Sequence, residues 1–437
     1  MISLIAKVVA HFRVNKIKKT YTKVTKIQED ILQRLVKKAL KTKFGKDHGF
    51  NKISNYDNFK EKVPIRDYES FKHYINDIQK GQENILWPGK PKYLAKTSGT
   101  TSGVKLIPIT KESLPYHINS SRDAILFYIK ETGDSGFLNG KNIFIQGSPV
   151  LEHLNGILIG RLSGIVAHHV PKYLQSRNLP SMMTNSIDDW ESKIDAICEE
   201  TYEKDLRVIG GIPSWVQMYL ERLLHNKKEK KIINLFKNLS LFVYGGVNFE
   251  PYKRIFLKLI GKKINTIEYY PASEGFFAYQ NDQNDPTLLL QYNSEIFYEF
   301  VEVDQIEKKQ PNRLNLSQVK LNKNYVMIIS TNAGLWAYNT GDTVMFKSIN
   351  PPKIIVTGRY KHFISAFGEH VISSEVEQSI KCAIDKTKLL VKEFTVAPMI
   401  NVSKPDLPHH EWWIEFDKDT GPTDKFAEII DSEMKNQ

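Results

Sequence analysis

The sequence predicts an α/β fold in three parts: a large N-terminal α/β domain, an attached β subdomain, and a small, mobile α+β C-terminal domain that is incomplete here. Between residues 93 and 269, short apolar runs alternate with helical patterns, and each run ends in a loop of small residues. From residue 288 to 356, β runs separated by turn signals follow one another. Ligands of α/β sheets gather at the carboxyl ends of strands, so the small-residue loops are candidate binding segments.

Each predicted element has a place on the chain. Strands are predicted over residues 93–95, 142–146, 206–210, 239–244 and 265–269, with helices beginning at residues 190, 211 and 251. The β subdomain, residues 288–357, has strands at 296–303, 325–330, 344–346 and 353–356. A helix over 373–385, strands over 393–397 and 412–416, and a helix over 425–435 follow. We therefore predict a large domain over residues 1–357, and a hinge with a small domain over residues 358–437.

The composition is that of a globular protein with a sizeable core, because 41% of the 437 residues are hydrophobic and 25% are charged. Two cysteines, Cys198 and Cys382, cannot build a disulfide framework or a four-ligand zinc site, which favours a reducing, cytoplasmic setting. No apolar run approaches the roughly 18 residues that would span a bilayer, so no membrane span is predicted.

The net charge of +12 is concentrated in a basic arm, residues 1–47, which holds thirteen Lys or Arg and three Asp or Glu. The rest of the chain is close to neutral, so no basic groove for nucleic acid is predicted. Apolar residues recur in the arm at helical spacing, namely Ile27, Ile31, Leu32, Leu35, Val36 and Leu40. The arm is interpreted as an amphipathic helix docked on the body with a solvated basic face, in preference to a membrane or RNA contact.

Residues 97–105 (TSGTTSGVK) form the first candidate site. Its glycines let backbone N–H groups approach phosphate oxygens, its hydroxyls add donors, and Lys105 adds a positive charge. The segment lacks the terminal Gly-Lys-[Ser/Thr] of a Walker A motif, so a P-loop NTPase is not supported. Composition alone would favour a surface turn, whereas the position directly after a strand favours phosphate binding.

Three charged residues complete the candidate site. Glu274 lies in YYPASEG (269–275) and Asp342 in YNTGD (338–342). Arg359 lies in TGRYKH (357–362), ahead of AFGEH (366–370). The simplest interpretation makes Ser273-Glu274 a helix N-cap and Gly341-Asp342 a turn. The functional interpretation makes Glu274 a Mg²⁺ ligand and lets Asp342 accept ribose hydroxyls, with Arg359 placed to contact the nucleotide.

Together and in this order, the motifs resemble those of the acyl-adenylate-forming enzymes, the superfamily of acyl-CoA ligases, peptide-synthetase adenylation domains and luciferases. Within it, the chain most resembles the auxin-responsive Gretchen-Hagen acyl-acid amido synthetases, in particular their bacterial branch. The resemblance runs from about residue 25 to the end of the sequence. It rests on ENILWPGKPKYLAKTSGTTSG, LFVYGGVNFEPY, EYYPASEGFFAYQ, ISTNAGLWAYNTGDTVMF and VTGRYKHFISAFGEH.

The resemblance implies a role for each matching residue. The ATP phosphates would be bound by Ser98, Gly99, Thr100, Thr101, Gly103 and Lys105. The adenine and α-phosphate would be flanked by Gly245, Gly246, Tyr270, Ala272 and Ser273. Glu274 would hold Mg²⁺, and Asp342 with Arg359 would fix the ribose. The catalytic residues would be Glu274, Lys105, Thr100 and Thr101. Lys361 and His362 would mark the hinge. Residues that could line the acyl pocket, or equally form plain core, are Pro213, Trp215, Val247 and Phe276.

The reaction implied by the resemblance uses ATP and Mg²⁺ with two small-molecule partners, a carboxylic acid and an amine, the amine being an amino acid. The carboxylate attacks the α-phosphate, pyrophosphate leaves, and the amine then attacks the mixed anhydride and releases AMP. This chemistry needs no protein nucleophile, and the sequence shows no Ser/His/Asp or Cys/His constellation. In the family, the C-terminal domain continues to a Gly-Gly-Gln-x-Lys-x-Pro-Arg segment beyond the point where this sequence stops. Without that segment, weakened adenylation is expected.

Three other functions stay open. An acyl-CoA ligase would share the adenylation half and pass the intermediate to coenzyme A. A non-catalytic homologue would bind ATP or an acyl ligand and regulate through its basic arm. A nucleic-acid binder would show salt-sensitive binding that is lost when residues 1–47 are deleted, although nothing in the remaining sequence supports it.

Overall fold

The computed structural model describes residues 2–97, 104–360, 373–399 and 409–435. Its α-helices are α1 (Ile2–Lys18), α2 (Val24–Ala39), α3 (Lys43–Asp47), α4 (Tyr56–Lys62), α5 (Tyr68–Gln79), α6 (Leu114–Thr132), α7 (Leu162–Ala167), α8 (Lys172–Gln175), α9 (Met182–Asn185), α10 (Trp190–Thr201), α11 (Pro213–Lys227), α12 (Ile232–Leu235), α13 (Lys253–Ile260), α14 (Ser373–Thr387) and α15 (Asp424–Lys435). None of these described helices combines the length and the apolarity that crossing a bilayer requires.

The strands are β1 (Tyr93–Thr97), β2 (Lys105–Ile109), β3 (Lys141–Ile145), β4 (Glu152–Leu154), β5 (Ile157–Gly160), β6 (Asn178–Leu179), β7 (Leu206–Gly211), β8 (Leu241–Gly245), β9 (Asn265–Ala272), β10 (Gly275–Gln280), β11 (Leu288–Leu290), β12 (Ile296–Glu302), β13 (Leu314–Asn315), β14 (Asn324–Thr331), β15 (Tyr338–Ile349), β16 (Pro352–Arg359), β17 (Val391–Met399) and β18 (His409–Phe416). The main sheet has the order β13-β12-β14-β15-β16-β11-β10-β9-β8-β7-β3-β6. A second sheet has the order β2-β1-β5-β4, and β17 pairs with β18. The predicted α/β class is confirmed.

The main sheet changes character at β9. Strands β6, β3, β7, β8 and β9 are parallel, whereas β9 to β10, β10 to β11 and β11 to β16 are antiparallel. The parallel half is buried on both faces: Leu241 and Val243 of β8 enter one core, and Phe242 and Tyr244 enter another. Strands β12 to β16, in the region predicted as a β subdomain, continue the same sheet.

Polar side chains fix several helix ends. Asn55 accepts a hydrogen bond from the Asn58 N–H at the start of α4, and Asp67 accepts one from the Ser70 N–H at the start of α5. Helix α6 ends at Gly133, whose φ of 70° is left-handed and therefore suits glycine. These local signals explain why the predicted short helices around residues 63–64 form where they do.

The basic arm contains two long helices where the sequence suggested one. Helix α2 is amphipathic as predicted, and its buried apolar residues include Ile31, Leu32, Leu35 and Val36. Gln28 holds α2 to the sheet because its amide donates to the carbonyls of Tyr292 and Ile296, at 2.7 Å and 2.9 Å. Helix α1 packs on α6, where Arg13 forms an ion pair of 2.6 Å with Asp123.

The C-terminal region has a core of its own, formed by Ile380, Ala383, Ile384, Val391, Phe426 and Ile430. Its helices α14 and α15 pack together beside the β17–β18 pair. Polar contacts join it to the body: the Asn248 amide donates to Glu377 at 2.8 Å, and Arg254 donates to the Ile384 carbonyl at 2.6 Å. A separate core with a polar interface is typical of a small domain that docks on a larger one.

Candidate functional site

Glu274 lies at the tip of the hairpin that joins β9 to β10. Ala272 pairs with Gly275 across this hairpin, so Ser273 and Glu274 form a two-residue turn. The turn replaces the helix N-cap that was the simplest interpretation of the Ser-Glu pair. Because β9 is the last parallel strand, its carboxyl end lies at the edge of the sheet where α/β proteins bind ligands.

The Glu274 carboxylate is partly buried, and this burial raises its pKa. The negative charge of Asp342 raises the pKa further, whereas Arg359 and Lys105 lower it. These opposing effects show that the structure brings four of the predicted site residues close together. A Mg²⁺ ion would offset the burial that disfavours the charged carboxylate, so Glu274 fits the predicted metal-binding role. The described residues hold no cluster of three or more potential metal-binding side chains, and Mg²⁺ usually needs only one or two carboxylates plus substrate phosphates.

Asp342 is held between two donors. The Arg359 Nε donates to one carboxylate oxygen at 2.9 Å, and the Tyr270 hydroxyl donates to the other at 2.6 Å. Asp342 pairs with Arg359 across β15 and β16, so the strands themselves bring the two side chains together. Burial and the Asp342 charge raise the pKa of Tyr270, which therefore stays a hydrogen-bond donor.

Asp342 lies in a β-bulge of β15. Across β14, Val326 pairs with Thr343 but Ile328 pairs with Asn339, so residues 340–342 lie opposite Met327 alone. Gly341 has a φ of 81°, which is left-handed and costs glycine little. The Gly341-Asp342 pair, which local sequence would make a simple turn, is thus part of a strand irregularity of the kind found next to active sites.

Lys105 begins β2, opposite Thr97 at the end of β1. Its Nζ lies 5.7 Å from the centre of the Tyr68 ring, and the Tyr68 hydroxyl accepts a hydrogen bond of 2.9 Å from the Leu106 N–H. Five predicted phosphate-binding residues lie outside the described residues, namely Ser98, Gly99, Thr100, Thr101 and Gly103. The described ends of the hairpin therefore locate Lys105 but not the rest of the loop.

Gly245 ends β8 at the same carboxyl edge, and Gly246 follows it. A side-chain carbon at Gly245 would lie 2.5 Å from the Tyr269 carbonyl oxygen, and Gly246 has a φ of 89°. Glycine is needed at position 245 because the neighbouring chain leaves no room for a side chain, and at position 246 because the backbone is left-handed. Ala272 and Tyr270 lie on the adjacent β9.

The four predicted acyl-pocket residues do not form one cluster. Pro213 is buried at the start of α11, and the Trp215 ring packs 5.1 Å from Trp190. Val247 is 41% exposed, whereas Phe276 is buried in the main core with its ring 5.4 Å from Tyr269. The hinge residues Lys361 and His362 lie outside the described residues, as does the AFGEH segment.

Sequence reasoning missed two residues of this site. Burial raises the pKa of Tyr338, and the nearby charge of Glu274 raises it further. Tyr68 comes from α5, far away in sequence, and no local signal marks it. Glu268 of β9 has other neighbours: its carboxylate accepts a hydrogen bond of 3.2 Å from Tyr244, and the charges that act on it are those of Lys253, Glu250 and Glu377.

A cavity of about 510 Å³ lies elsewhere, between α2 and β13. Its lining mixes polar residues such as Lys26, Gln33 and Ser317 with apolar ones such as Leu32 and Phe297. It contains none of the predicted site residues. The chemistry-bearing residues therefore lie at the sheet edge, not in this cavity.

Comparison with known proteins identifies the family of the chain. A model of the GH3 family N-terminal domain matches residues 13–169, and a model of the GH3 family central domain matches residues 289–359. The jasmonoyl-L-amino acid synthetase JAR4 of Nicotiana attenuata is 21% identical over 448 aligned residues, covering 86% of this chain and 77% of that protein. The indole-3-acetic acid-amido synthetase GH3.15 of Arabidopsis thaliana is 34% identical over 143 residues, covering 32% of this chain and 23% of that protein.

The solved structure of the acyl acid amido synthetase AtGH3.15 in complex with 2,4-DB superposes with a TM-score of 0.80 at 17% identity. The match covers 98% of this chain and 85% of that one. The chain therefore has the fold of that amido synthetase. The two domain matches together span more than half of the chain, so the chain belongs to the GH3 family of acyl-acid amido synthetases.

Proposed function

We propose that this chain is an ATP-dependent acyl-acid amido synthetase of the bacterial branch of its family, acting in the cytoplasm. It activates a small carboxylic acid as an acyl-adenylate and passes the acyl group to an amine, an amino acid. The family membership supports this reaction, as do relatives named as amido synthetases of jasmonate and indole-3-acetate. The observation that carries the proposal is that Asp342, Arg359 and Lys105 lie close enough to Glu274 for their charges to shift the pKa of its carboxyl, with Arg359 bound to Asp342.

The site residues divide between the parts of ATP. Asp342, oriented by Arg359 and Tyr270, accepts the ribose hydroxyls, a task suited to a charged acceptor. The β- and γ-phosphates are held by Ser98, Gly99, Thr100, Thr101, Gly103 and Lys105. The adenine and α-phosphate are flanked by Gly245, Gly246, Tyr270, Ala272 and Ser273. Glu274 would hold Mg²⁺, which neutralises phosphate charge when bound.

The reaction proceeds by two displacements. A carboxylate oxygen of the acid attacks the α-phosphorus, the bond to the bridging oxygen breaks, and pyrophosphate leaves with that electron pair. The amine nitrogen then attacks the acyl carbon, the bond to the AMP oxygen breaks, and the amine loses a proton to solvent. The chain contributes positioning and charge neutralisation, in which Lys105 offsets the growing charge on the leaving pyrophosphate.

The domain division belongs to the same proposal. A large domain over residues 1–357, with its arm at 1–47 and its β-rich part at 288–357, carries the nucleotide site. A small domain over residues 358–437 rotates about Lys361 and His362 between the two steps. The separate core of the C-terminal region and its polar contacts with α13 and the preceding loop support this division. Pro213, Trp215, Val247 and Phe276 remain candidates for the acyl pocket.

The first experiment is acid-dependent exchange of labelled pyrophosphate into ATP, screened over aryl, indole and aliphatic acids. Exchange that requires a particular acid supports adenylation, and its absence with every acid favours the non-catalytic homologue. Product formation is then measured with amino acids or coenzyme A as acceptor. An amide that forms without coenzyme A supports the synthetase, and a thioester instead would assign the chain as an acyl-CoA ligase.

The sharpest variant is Glu274→Gln, which keeps the shape of the side chain and removes its charge. We expect pyrophosphate exchange to fall about 100-fold, since a charged Mg²⁺ ligand is lost. The melting temperature should not fall, because the variant removes a carboxylate that burial disfavours. Glu307→Gln, at an exposed position, is the matched control. Exchange near the wild-type rate in Glu274→Gln would refute the Mg²⁺ assignment.

A further inference from the structure

Helix α1 turns its large apolar side chains away from the protein. Phe12 and Leu4 are 70% and 69% exposed, which is unusual for side chains of this size. We define the α1 face by its exposed apolar residues, Ile2, Leu4, Ile5, Val8, Val9 and Phe12. Contiguous exposed apolar surface of this kind marks a binding surface.

The α1 face forms one stripe along the helix. Ile5, Val9 and Phe12 recur at intervals of three or four residues, so they share a side of the helix. The same row continues into Lys16 and Lys19, four and seven residues after Phe12. The stripe is therefore apolar over the first three turns and basic at its end.

The packing of α1 holds the stripe outward. Ala10 and Val14 are the buried residues of the helix, on the side that faces α6. Arg13 donates to both carboxylate oxygens of Asp123, at 2.9 Å and 2.6 Å. The Asp123 side chain is only 5% exposed, so rolling the helix to hide its apolar face would take its two-bond partner from a buried carboxylate and leave it only Arg122, at 3.4 Å, which is costly. The neighbouring α2, by contrast, buries its apolar residues.

The charge around the stripe selects the kind of partner. Residues 1–28 contain no Asp or Glu but have six lysines and one arginine. Arg13 is bound to Asp123, and Lys18 lies close enough to Glu131 to lower the pKa of that carboxyl. Lys16 and Lys19 are exposed and have no ion-pair partner within the described part of the chain. Their charge is thus available to an anionic surface.

We propose that the α1 face binds an anionic membrane surface, with the helix lying in the plane of the headgroups. The apolar stripe enters the boundary between headgroups and acyl chains, and the lysines contact lipid phosphates, as in amphipathic interfacial helices. A second copy of the chain fits less well, because a symmetric contact would bring like charges together. The attachment is peripheral, and it stands whether or not the proposed reaction is correct.

The test is sedimentation of the purified full chain with two kinds of vesicle, phosphatidylcholine alone and phosphatidylcholine mixed with phosphatidylserine. The wild-type protein should pellet with the mixed vesicles, weakly with phosphatidylcholine alone, and less as salt rises. The triple variant Leu4→Gln, Val8→Gln, Phe12→Gln should bind about tenfold or more weakly. Its melting temperature should be unchanged because the substituted side chains are exposed.

A matched triple variant substitutes exposed apolar residues elsewhere, Val150→Gln, Met183→Gln and Leu321→Gln. It should bind vesicles as the wild type does, whereas Phe12→Trp should bind at least as tightly. Absence of wild-type binding to the mixed vesicles overturns the proposal, and so does equal binding by the α1 variant. A concentration-dependent dimer that the α1 variant abolishes, seen by analytical ultracentrifugation without vesicle binding, would assign the face to a second copy instead.

Discussion

Two arginine–carboxylate pairs lie on the main sheet in opposite surroundings. Arg313 and Glu299 leave 6% and 0% of their side chains exposed, whereas Arg359 and Asp342 leave 51% and 13% exposed. Arg313 donates to both oxygens of Glu299, at 2.9 Å and 2.7 Å, while Arg359 donates to Asp342 through Nε. The two pairs have the same chemistry, so their surroundings decide what each can do.

The buried pair joins separate parts of the chain. Arg313 also donates to the carbonyls of Lys60 and Val63, and its guanidinium lies 5.5 Å from the centre of the Phe59 ring. Its donors are thus used within the protein, which fits a structural role. The Asp342 pair lies at a bulge near the carboxyl edge of the parallel strands, where a ligand can replace water. Both pairs are arginine–carboxylate ion pairs, so the greater exposure of Arg359 and Asp342 is what distinguishes the candidate site from the structural pair.

The comparison predicts its largest effect for Arg313→Met. The variant leaves the Glu299 charge buried without a cation, so we expect the free energy of unfolding to fall by about 3–5 kcal/mol. Arg359→Met should lower it by less than about 1 kcal/mol, since that cation is half exposed. Urea denaturation measures both.

The double variant Glu299→Leu, Arg313→Met provides the control for this prediction. Replacing a whole buried pair by apolar residues is often neutral, so much of the lost stability should return. Equal losses in the two arginine variants would contradict the division into a structural pair and a site pair.

A second prediction concerns ATP binding, for which we expect the Arg359 variant to have a larger effect than the Arg313 variant. Arg359→Met should raise the KM for ATP about tenfold, equivalent to about 1.4 kcal/mol, because Asp342 loses the cation that orients it. Arg359→Lys should fall between, since a lysine keeps the charge but not the planar geometry. The pyrophosphate-exchange assay gives the KM, and folded Arg313→Met is the control expected to keep its KM. An unchanged KM in Arg359→Met would remove Arg359 from the nucleotide site.

The sequence predicted the strands of the sheet more directly than the residues of the candidate site, for a physical reason. Strands such as β7 and β8 can be recognised from the sequence because a strand that is buried on both faces consists of consecutive apolar residues. Asp342 and Arg359 stood out only as members of a known order of motifs. The contact between Asp342 and Tyr270 spans 72 residues and leaves no local trace.

The same limit explains other differences. Ser273-Glu274 suits both a helix N-cap and a hairpin turn, and only the pairing of β9 with β10 decides between them. The orientation of α1 depends on Asp123 of α6, which the spacing of apolar residues in the arm does not reveal. Local periodicity therefore predicts elements, while the partners that orient them come from distant parts of the chain.

Glu268 is a third carboxylate on the main sheet. Unlike Glu299 and Asp342, it forms no ion pair with a cation among the described residues. Burial raises the pKa of Glu268 to about 7, with Glu250 and Glu377 adding to the rise while Tyr244 and Lys253 oppose it. The native state therefore keeps this proton to a higher pH than the unfolded chain does. Its contribution to stability is complete at low pH and is lost as the pH rises from the ordinary glutamate range through about 7.

Glu268→Gln should remove this pH dependence and keep an acceptor for the Tyr244 hydroxyl. At pH 8.5 the variant should be more stable than the wild type by about 2–3 kcal/mol, and near pH 5 the two should be nearly equal. Urea denaturation across this range measures the difference, with Glu307→Gln as the exposed control. A variant less stable than the wild type at pH 8.5 would mean that the Glu268 charge is stabilised in the fold. Glu268 would then resemble Glu299 and Asp342 in being stabilised as a charged group, although no cation contacts it among the described residues.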